Sequence, residues 1–356
     1  MKGVILAGGF GTRLRPLTLT LPKPVVPIVD RPLLLHQLDL LASAGVRELV
    51  FSVAYRPERV QAIFGDGTAL GRRIHYAVEE TPLGTGGAVK NAEPCLDDLT
   101  IVLNGDVLTD VDLAQVVRSH KASGAKATIV LTPVANPAAF GLVETDQEGR
   151  VLRFLEKPRP EEITTNTINA GIYVLDTKTL GIIPKNEVHS IERGFFPALL
   201  ARGDLVRGHL HSGYWIDIGT PAQYLSAHRD ILRGRFRVQL GAPEVGGGFL
   251  DPSANVHEGA ILRPPFFVGP ACEVAPGASI GPDTVLVSSV EVGRGARIED
   301  SVLWAGTIVG EDAEISGALL GTGVRVGPQA KVAPGAVLGE GTVLSAHSAT
   351  KGPSAA

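Results

Sequence analysis

Apolar positions follow one rule up to about residue 230 and another after about residue 250. In the first part, short apolar runs alternate with amphipathic stretches. The runs at Gly3–Leu6, Leu49–Ala54, Ile74–Ala77, Thr100–Leu103, Ala127–Thr132, Gly141–Glu144 and Ile172–Leu175 read as strands. Several are apolar throughout, as strands buried on both faces are. Between them, Leu33–Ala44 and Leu113–Ser123 carry apolar residues at helical spacing. Strand and helix alternating in this way predict an α/β sandwich with a mostly parallel sheet over residues 1–235. Residues 236–250, which run into GGG, read as a linker.

From residue 251 the helical period disappears and a six-residue period replaces it. Val256, Leu262, Val268, Val274, Ile280, Leu286, Val292, Ile298 and Trp304 stand six apart. The register slips by one at Val309 and again at Leu320, then continues through Val326, Val332, Leu338 and Leu344. Gly, Pro, Ala and Asp fill the spaces, as in GPACEV and APGAVL. A sustained hexapeptide period predicts a parallel β-helix over residues 251–346, in which each aliphatic stacks on its counterpart one coil away, with roughly five coils. Such a prism can be purely structural. Residues 347–356 read as a flexible tail.

A chain of 356 residues, 44% of them hydrophobic, is long enough for two cores. The formal net charge is −4 with both signs mixed along the chain, which gives no basic face for nucleic acid or membrane. Two cysteines without ligand-like neighbours argue against a disulfide framework or a zinc site, and for a cytoplasmic setting. The opening MKGVILAGG is too short for a signal segment, and no long apolar run follows. β-helix prisms and exposed sheet faces commonly pair, so a homo-oligomer is expected.

Candidate chemistry begins at GGFGTRLRP, directly after the first predicted strand. Glycines let backbone N–H groups converge on an anion at the strand-end edge of an α/β sheet. The spacing is neither a Walker A loop nor the dinucleotide fingerprint, since Leu14 stands where the third glycine belongs. Arg13, Arg15 and Lys23, the last held between two prolines, suit a polyphosphate through bidentate and point-charge contacts. A surface loop with solvated cations is the competing reading of the glycines alone.

In its wider set of motifs the chain resembles the sugar-1-phosphate nucleotidyltransferases, along essentially its whole length. LAGGFGTRLRP is similar to their signature loop, PLGTGGAV to their second nucleotide loop, and LNGDVL to their strand-end aspartate motif. FLEKP and NAGIYVL are similar to their sugar-phosphate motifs, and GYWIDIGTPAQY to their second aspartate motif. HSIERGFFP resembles a segment of the mannose-1-phosphate guanylyltransferases (GDP-mannose pyrophosphorylases), which also carry a C-terminal left-handed β-helix. The resemblance implies a Rossmann-like mixed sheet, and the reaction of an NTP with a sugar 1-phosphate to give an NDP-sugar and pyrophosphate.

That chemistry needs no general base. A sugar-phosphate oxygen, with a second pKa of about 6, is already largely ionised near neutral pH. The task is to bring two polyanions together and neutralise charge in line with the leaving group. The resemblance assigns Arg13 to the leaving pyrophosphate, Lys23 to the α-phosphate region and Lys157 to the sugar's phosphate. Leu6, Ala7, Gly8, Gly9, Gly11, Thr12, Gly84 and Thr85 belong to the nucleotide loops. Gly141, Glu156 and Asn169 face the sugar. Asp106, after the apolar run TIVLNG, and Asp217, in WIDIG, are the carboxylates for a shared Mg2+. Each has a plainer reading: Asp106 as a turn former and Asp217 as a capping carboxylate.

The base is a matter of hydrogen-bond chemistry. Guanine presents N1–H and N2–H₂ side by side, which one carboxylate can accept together; uracil and thymine present a single N3–H that suits an amide. AVEETPLGTGG carries Glu79 and Glu80, not Gln, before the second loop, and this favours GTP. Solvated strand-end glutamates are the alternative. Competing functions are a glucose-1-phosphate thymidylyl- or uridylyltransferase, a heptose-1-phosphate guanylyltransferase, and a regulatory nucleotide-sugar-binding homologue, which ought to have lost one of the cations or carboxylates. An acetyltransferase β-helix would need a catalytic histidine, and only His257 and His347 stand in that region.

Overall fold

The computed structural model describes residues 1–350 and Gly352. The chain divides into two compact units: Met1–Phe10 with Leu34–Trp215, and Gly11–Leu33 with Ile216 onward. The backbone therefore passes between units at residues 10/11, 33/34 and 215/216.

The first unit is built on nine strands: β1 (Lys2–Leu6), β2 (Glu48–Val53), β3 (Arg73–Val78), β4 (Leu99–Asn104), β5 (Ala127–Pro133), β6 (Gly141–Thr145), β7 (Val151–Glu156), β8 (Thr167–Asp176) and β9 (Val206–Leu210). Their order is β7-β6-β8-β4-β1-β2-β3, with β5 pairing β8 and β9. The pairs β1/β2, β1/β4, β2/β3 and β5/β9 are parallel. The pairs β4/β8, β5/β8, β6/β7 and β6/β8 are antiparallel. The sheet is thus mixed. This is the Rossmann-like mixed sheet that the resemblance implies; it is less parallel than strand–helix alternation alone predicts because β6 and β7 form a hairpin and the ten-residue β8 runs against its neighbours. Val4, Val50, Val102, Tyr173 and Leu175 are buried in its core, as strands covered on both faces require.

Among the described residues there are six α-helices: α1 (Leu33–Ser43), α2 (Pro57–Phe64), α3 (Gly84–Ala92), α4 (Leu113–Ser123), α5 (Phe196–Ala201) and α6 (Pro221–Leu232). Among the described residues no helix is long and apolar enough to cross a membrane. Cys95 and Cys272 are both free thiols.

In the second unit, Gly11–Leu33 contains three short 3-10 turns and a two-residue hairpin, Pro27–Ile28 with Arg31–Pro32. Residues 244–250 form a further hairpin, and its Phe249 pairs in register with Phe267 of the prism. The prism has three parallel sheets, so each coil makes three sides, as a hexapeptide period demands. Register partners show coil lengths directly. Glu273 faces Glu291 eighteen residues on, whereas Glu291 faces Ile308 and Ile308 faces Arg325 at seventeen. The two seventeen-residue coils are the two slips in the hexapeptide period.

One position differs from the sequence expectation. Trp304 is not a core residue of the prism. The stacked aliphatics run Leu286, Leu303, Leu320, each in register with the next, and Leu303 belongs to the core cluster. The first slip therefore falls before Leu303, one hexapeptide earlier than the spacing suggests, and Trp304 points out of the prism. Of the expected tail 347–356, Ser348 and Thr350 bond to the backbone of Lys331; Lys351 and residues 353–356 lie outside the described residues.

Candidate active site

In the first unit the sequence-selected residues gather at the carboxyl ends of the parallel strands, where ligands of open α/β sheets bind. β1 ends at Leu6, whose carbonyl accepts Gly105 N–H at 3.0 Å. A Cβ on Gly105 would sit 2.5 Å from that same oxygen, so the turn before Asp106 has to be glycine. Asp106 follows β4 on this turn. Its flanks are fixed by a residue the sequence reading passed over: buried Gln37 of α1 donates to the carbonyls of Asn104 and Val107, at 2.8 and 3.0 Å. Its only sequence signal is one amide on an otherwise apolar helix face.

Ala7 N–H bonds Ser52 carbonyl at 2.8 Å. A Cβ on Gly8 would stand 3.2 Å from Glu79 Oε1 and 3.3 Å from Ala54 N, so backbone and carboxylate approach closely there. Gly9 has open space around it. Glu79 is only 6% exposed, and both its carboxylate oxygens are anchored: Ser52 Oγ donates to Oε1 and Leu83 N–H to Oε2, each at 2.8 Å. Each oxygen keeps a second lone pair for a ligand N–H. Glu80 is exposed. The acidic pair is therefore split into one buried, oriented carboxylate and one solvated one.

The second glycine loop opens α3. Gly84 has φ +72°, and a Cβ there would meet His189 carbonyl at 2.7 Å. That carbonyl accepts the N–H groups of Gly86 and Gly87, at 2.8 and 3.1 Å. Thr85 Oγ1 donates to Glu192 Oε2 at 2.7 Å and accepts Ile191 N–H at 2.9 Å. The Gly86 and Gly87 amides, in the first turn of α3, are thus committed to the HSIE segment. Glu192 also accepts Ser190 Oγ at 2.7 Å and faces Tyr173 OH at 3.5 Å. Ser190 caps the π-helical turn Ile191–Phe195, a rare geometry concentrated at functional sites. Spacing could not have exposed Glu192, since its partners Thr85 and Tyr173 lie far off in sequence.

The same network reaches the sugar-assigned residues. Tyr173 OH accepts Asn169 Nδ2 at 2.8 Å, and Asn169 Oδ1 accepts Gly171 N–H at 2.9 Å. Glu156 stands opposite Gly141 across the β6/β7 hairpin, where a Cβ on Gly141 would lie 2.8 Å from Glu156 Oε2. Burial, and then the neighbouring Glu192 charge, push the Glu156 carboxyl above its ordinary value, against the pull of Lys157 and Arg193. Lys157 is exposed and has φ +53° although a proline follows it. That conformation costs a non-glycine residue about 1–3 kcal/mol, and such strain clusters at functional sites. Trp215, unmarked by the sequence reading, packs edge-on to Phe140 with centroids 5.6 Å apart and donates to Ala170 carbonyl at 2.9 Å.

The second unit holds the remaining residues. Gly11 has φ +60°, and its carbonyl accepts Thr18 Oγ1 at 2.7 Å. Thr12 opens the 3-10 turn that presents Arg13. Arg13 and Arg15 are exposed. Lys23 is only 8% exposed, its stem packed beside Gly11, where a Cβ would lie 3.1 Å from Lys23 Cβ. Around Gly219 the Arg13 guanidinium and Asp217 Oδ2 converge: each lies within 2.8 Å of where a Cβ would stand. The other oxygen of Asp217 accepts Gln223 Nε2. Asp217 does not cap α6; Thr220 does, accepting Gln223 N–H at 3.2 Å. Gln223 stands in the GYWIDIGTPAQY motif, but the sequence reading gave it no role.

Comparison with known proteins shows the family to which these motifs belong. The nucleotidyl transferase family profile matches residues 2–234, and the GMPPB C-terminal domain profile matches residues 262–351. A mannose-1-phosphate guanylyltransferase from Mycobacterium tuberculosis is 41% identical over 87% of this chain and 81% of its own length. A mannose-1-phosphate guanyltransferase from Candida albicans is 40% identical over 96% of this chain and 91% of its own. Among solved structures, HddC from Yersinia pseudotuberculosis complexed with GMP-PN superimposes with a TM-score of 0.55 at 30% identity, covering 64% of this chain and 97% of HddC.

Proposed function

The chain belongs to the nucleotidyl transferase family, in the branch of the mannose-1-phosphate guanylyltransferases, and we propose that it transfers GMP from GTP to mannose 1-phosphate, giving GDP-mannose and pyrophosphate. The observation that carries the guanine assignment is Glu79. A buried carboxylate, aimed by Ser52 and Leu83 N–H beside Gly8, is the acceptor that guanine's N1–H and N2–H₂ require.

A phosphate oxygen of the sugar 1-phosphate attacks the α-phosphorus, and pyrophosphate leaves. Arg13 carries the charge on the leaving group and Lys23 that at the α-phosphate. Lys157 holds the sugar's phosphate, and its strained backbone fixes where the ammonium is presented. Glu156 and Asn169 bond sugar hydroxyls, and Gly141 admits the ring. Asp106 and Asp217, two hard carboxylates, are the residues that would hold a Mg2+. No cluster of three or more such ligands stands among the described residues, and magnesium does not need one. When bound it neutralises phosphate charge. A homo-oligomer and a cytoplasmic setting complete the reading.

The test is pyrophosphate release with Mg2+, crossing GTP, UTP, dTTP, ATP and CTP against mannose, glucose, N-acetylglucosamine and heptose 1-phosphates. GTP with mannose 1-phosphate should be fastest, and Glu79→Gln should erode the preference for GTP over UTP by at least tenfold. A wild-type maximum at UTP or dTTP would overturn the base assignment.

A further inference from the structure

The segment Gly11–Leu33 carries Arg13 and Lys23, yet it has no helix or sheet long enough to hold itself. Within its unit it is tied to later residues at four points. Pro16 lies against Gly339 of the prism, where a Cβ would meet Pro16 Cβ at 3.0 Å. Pro27 carbonyl accepts Tyr224 OH. Val29 N–H donates to His228 Nδ1 at 3.3 Å, and Asp30 Oδ2 accepts Gly241 N–H at 2.6 Å.

Two of the ties come from α6, and α6 is itself bolted to the prism. Arg229 pairs with Asp300, and Arg233, just past the helix's last residue, with Asp283, each through two N–H···O bonds. Trp304 completes the connection. It lies outside the prism's core, only 3% exposed, and its indole N–H donates to Tyr224 OH at 3.0 Å. A chain of directed bonds thus runs from Trp304 through Tyr224 to Pro27 carbonyl, four residues beyond Lys23. A prism that merely packed would need an apolar contact here, not a bond with a direction.

We infer that Trp304, acting through Tyr224, is a positioning residue for the phosphate-binding segment, and that the β-helix sets where Arg13 and Lys23 stand. The inference rests on the proposed reaction. Catalysis by placed cations is steep in distance, with a displacement of about 1 Å costing on the order of 100-fold. Loosening the chain of bonds should therefore act on the nucleotide side alone.

The experiment compares Tyr224→Phe, Trp304→Phe and Gly339→Ala with Ile315→Ala, a prism-core change that touches none of the ties. Melting temperature, kcat, and KM for GTP and for the sugar 1-phosphate are measured well below each melting point. Tyr224→Phe and Trp304→Phe should each lower kcat/KM for GTP about tenfold, with KM for the sugar phosphate within twofold of wild type. Gly339→Ala, pressing on Pro16, should act in the same direction. Ile315→Ala should lower the melting temperature and leave the kinetics unchanged. Melting shifts without the GTP effect in the three tie variants would overturn the inference. A wild-type protein that binds GTP but forms no nucleotide sugar would instead sink the proposed reaction. GTP affinity by calorimetry then decides the inference: weakening in the tie variants supports it, and unchanged affinity overturns it.

Discussion

Two glycine-rich stretches look alike in the sequence and are built for different work. The first, GGFGTRLRP, has no regular element up to Gly11, turns through the 3-10 geometry of Thr12–Leu14, and leads into a segment whose Pro27 and Asp30 are anchored 197 and 211 positions away. The second, PLGTGG, has already committed the amides of Gly86 and Gly87 and its threonine hydroxyl to the HSIE segment. In the first, Gly9 has open space around it and Gly11 lies against the Lys23 stem; in the second, Gly84 admits the protein's own His189 carbonyl. A glycine loop is therefore not a phosphate cradle by composition. Where its N–H groups go is the deciding fact.

The sharpest way to break this contrast is Arg13→Ala. If the first stretch works through charge, removing the guanidinium should lower kcat/KM at least 100-fold, because a charge-assisted contact to the leaving group is lost from the transition state. The fold should be unaffected, since Arg13 is exposed. Turnover near wild type would place the leaving-group cation elsewhere. Gly84→Ala should do the reverse. A left-handed φ costs an alanine about 1–2 kcal/mol, and the methyl group would also press on His189 carbonyl. Melting should drop by several degrees, with a smaller loss of rate than Arg13→Ala gives. A variant as stable as wild type would show that the second loop can shift freely.

Legibility followed the range of the interaction that fixes each feature. The hexapeptide period is set by neighbours one coil apart, so it survives in the sequence even across the two short coils. Which of Leu303 and Trp304 faces inward is not local. Both are apolar, and only the register with Leu286 and Leu320 decides. The same limit applies in the sheet: the hairpin β6/β7 and the reversal at β8 depend on pairing, which a single apolar run does not encode. Among the candidate residues, those with charge in a motif could be named from the sequence, including Arg13, Lys23, Asp106, Lys157 and Asp217. Gln37 was passed over, and Glu192 and Gln223, although they stand in motifs the sequence shows, had no legible role, because each acts on a main chain or side chain that only folding brings near. Glu79 and Glu80 are identical in type and adjacent, and their separation into buried and exposed comes from the end of β3.

The smallest expected effect measures how far the second loop's anchor reaches. Glu192 holds Thr85, and its charge also helps raise Glu156. A carboxyl whose folded value is raised binds its proton more tightly in the native state than in the unfolded chain. Stability then falls as pH rises through the window between the ordinary value of 4.5 and the raised one, and the penalty is fully present above that window. Glu156→Gln removes the charge. The variant should melt slightly above wild type at pH 7, by a few degrees at most, and the gap should close as pH is lowered to 4. The KM for the sugar phosphate should rise several-fold, because a neutral amide is a weaker acceptor for sugar hydroxyls than a carboxylate. Thermal scans across this pH range on wild type, Glu156→Gln, Glu192→Gln and the double variant separate the causes. Removing Glu192 first should shrink the Glu156→Gln gap without abolishing it, because burial is the larger cause and Glu192 the second. A gap of constant size at every pH would mean that Glu156 is not held high. The second loop's anchor would then end at Thr85.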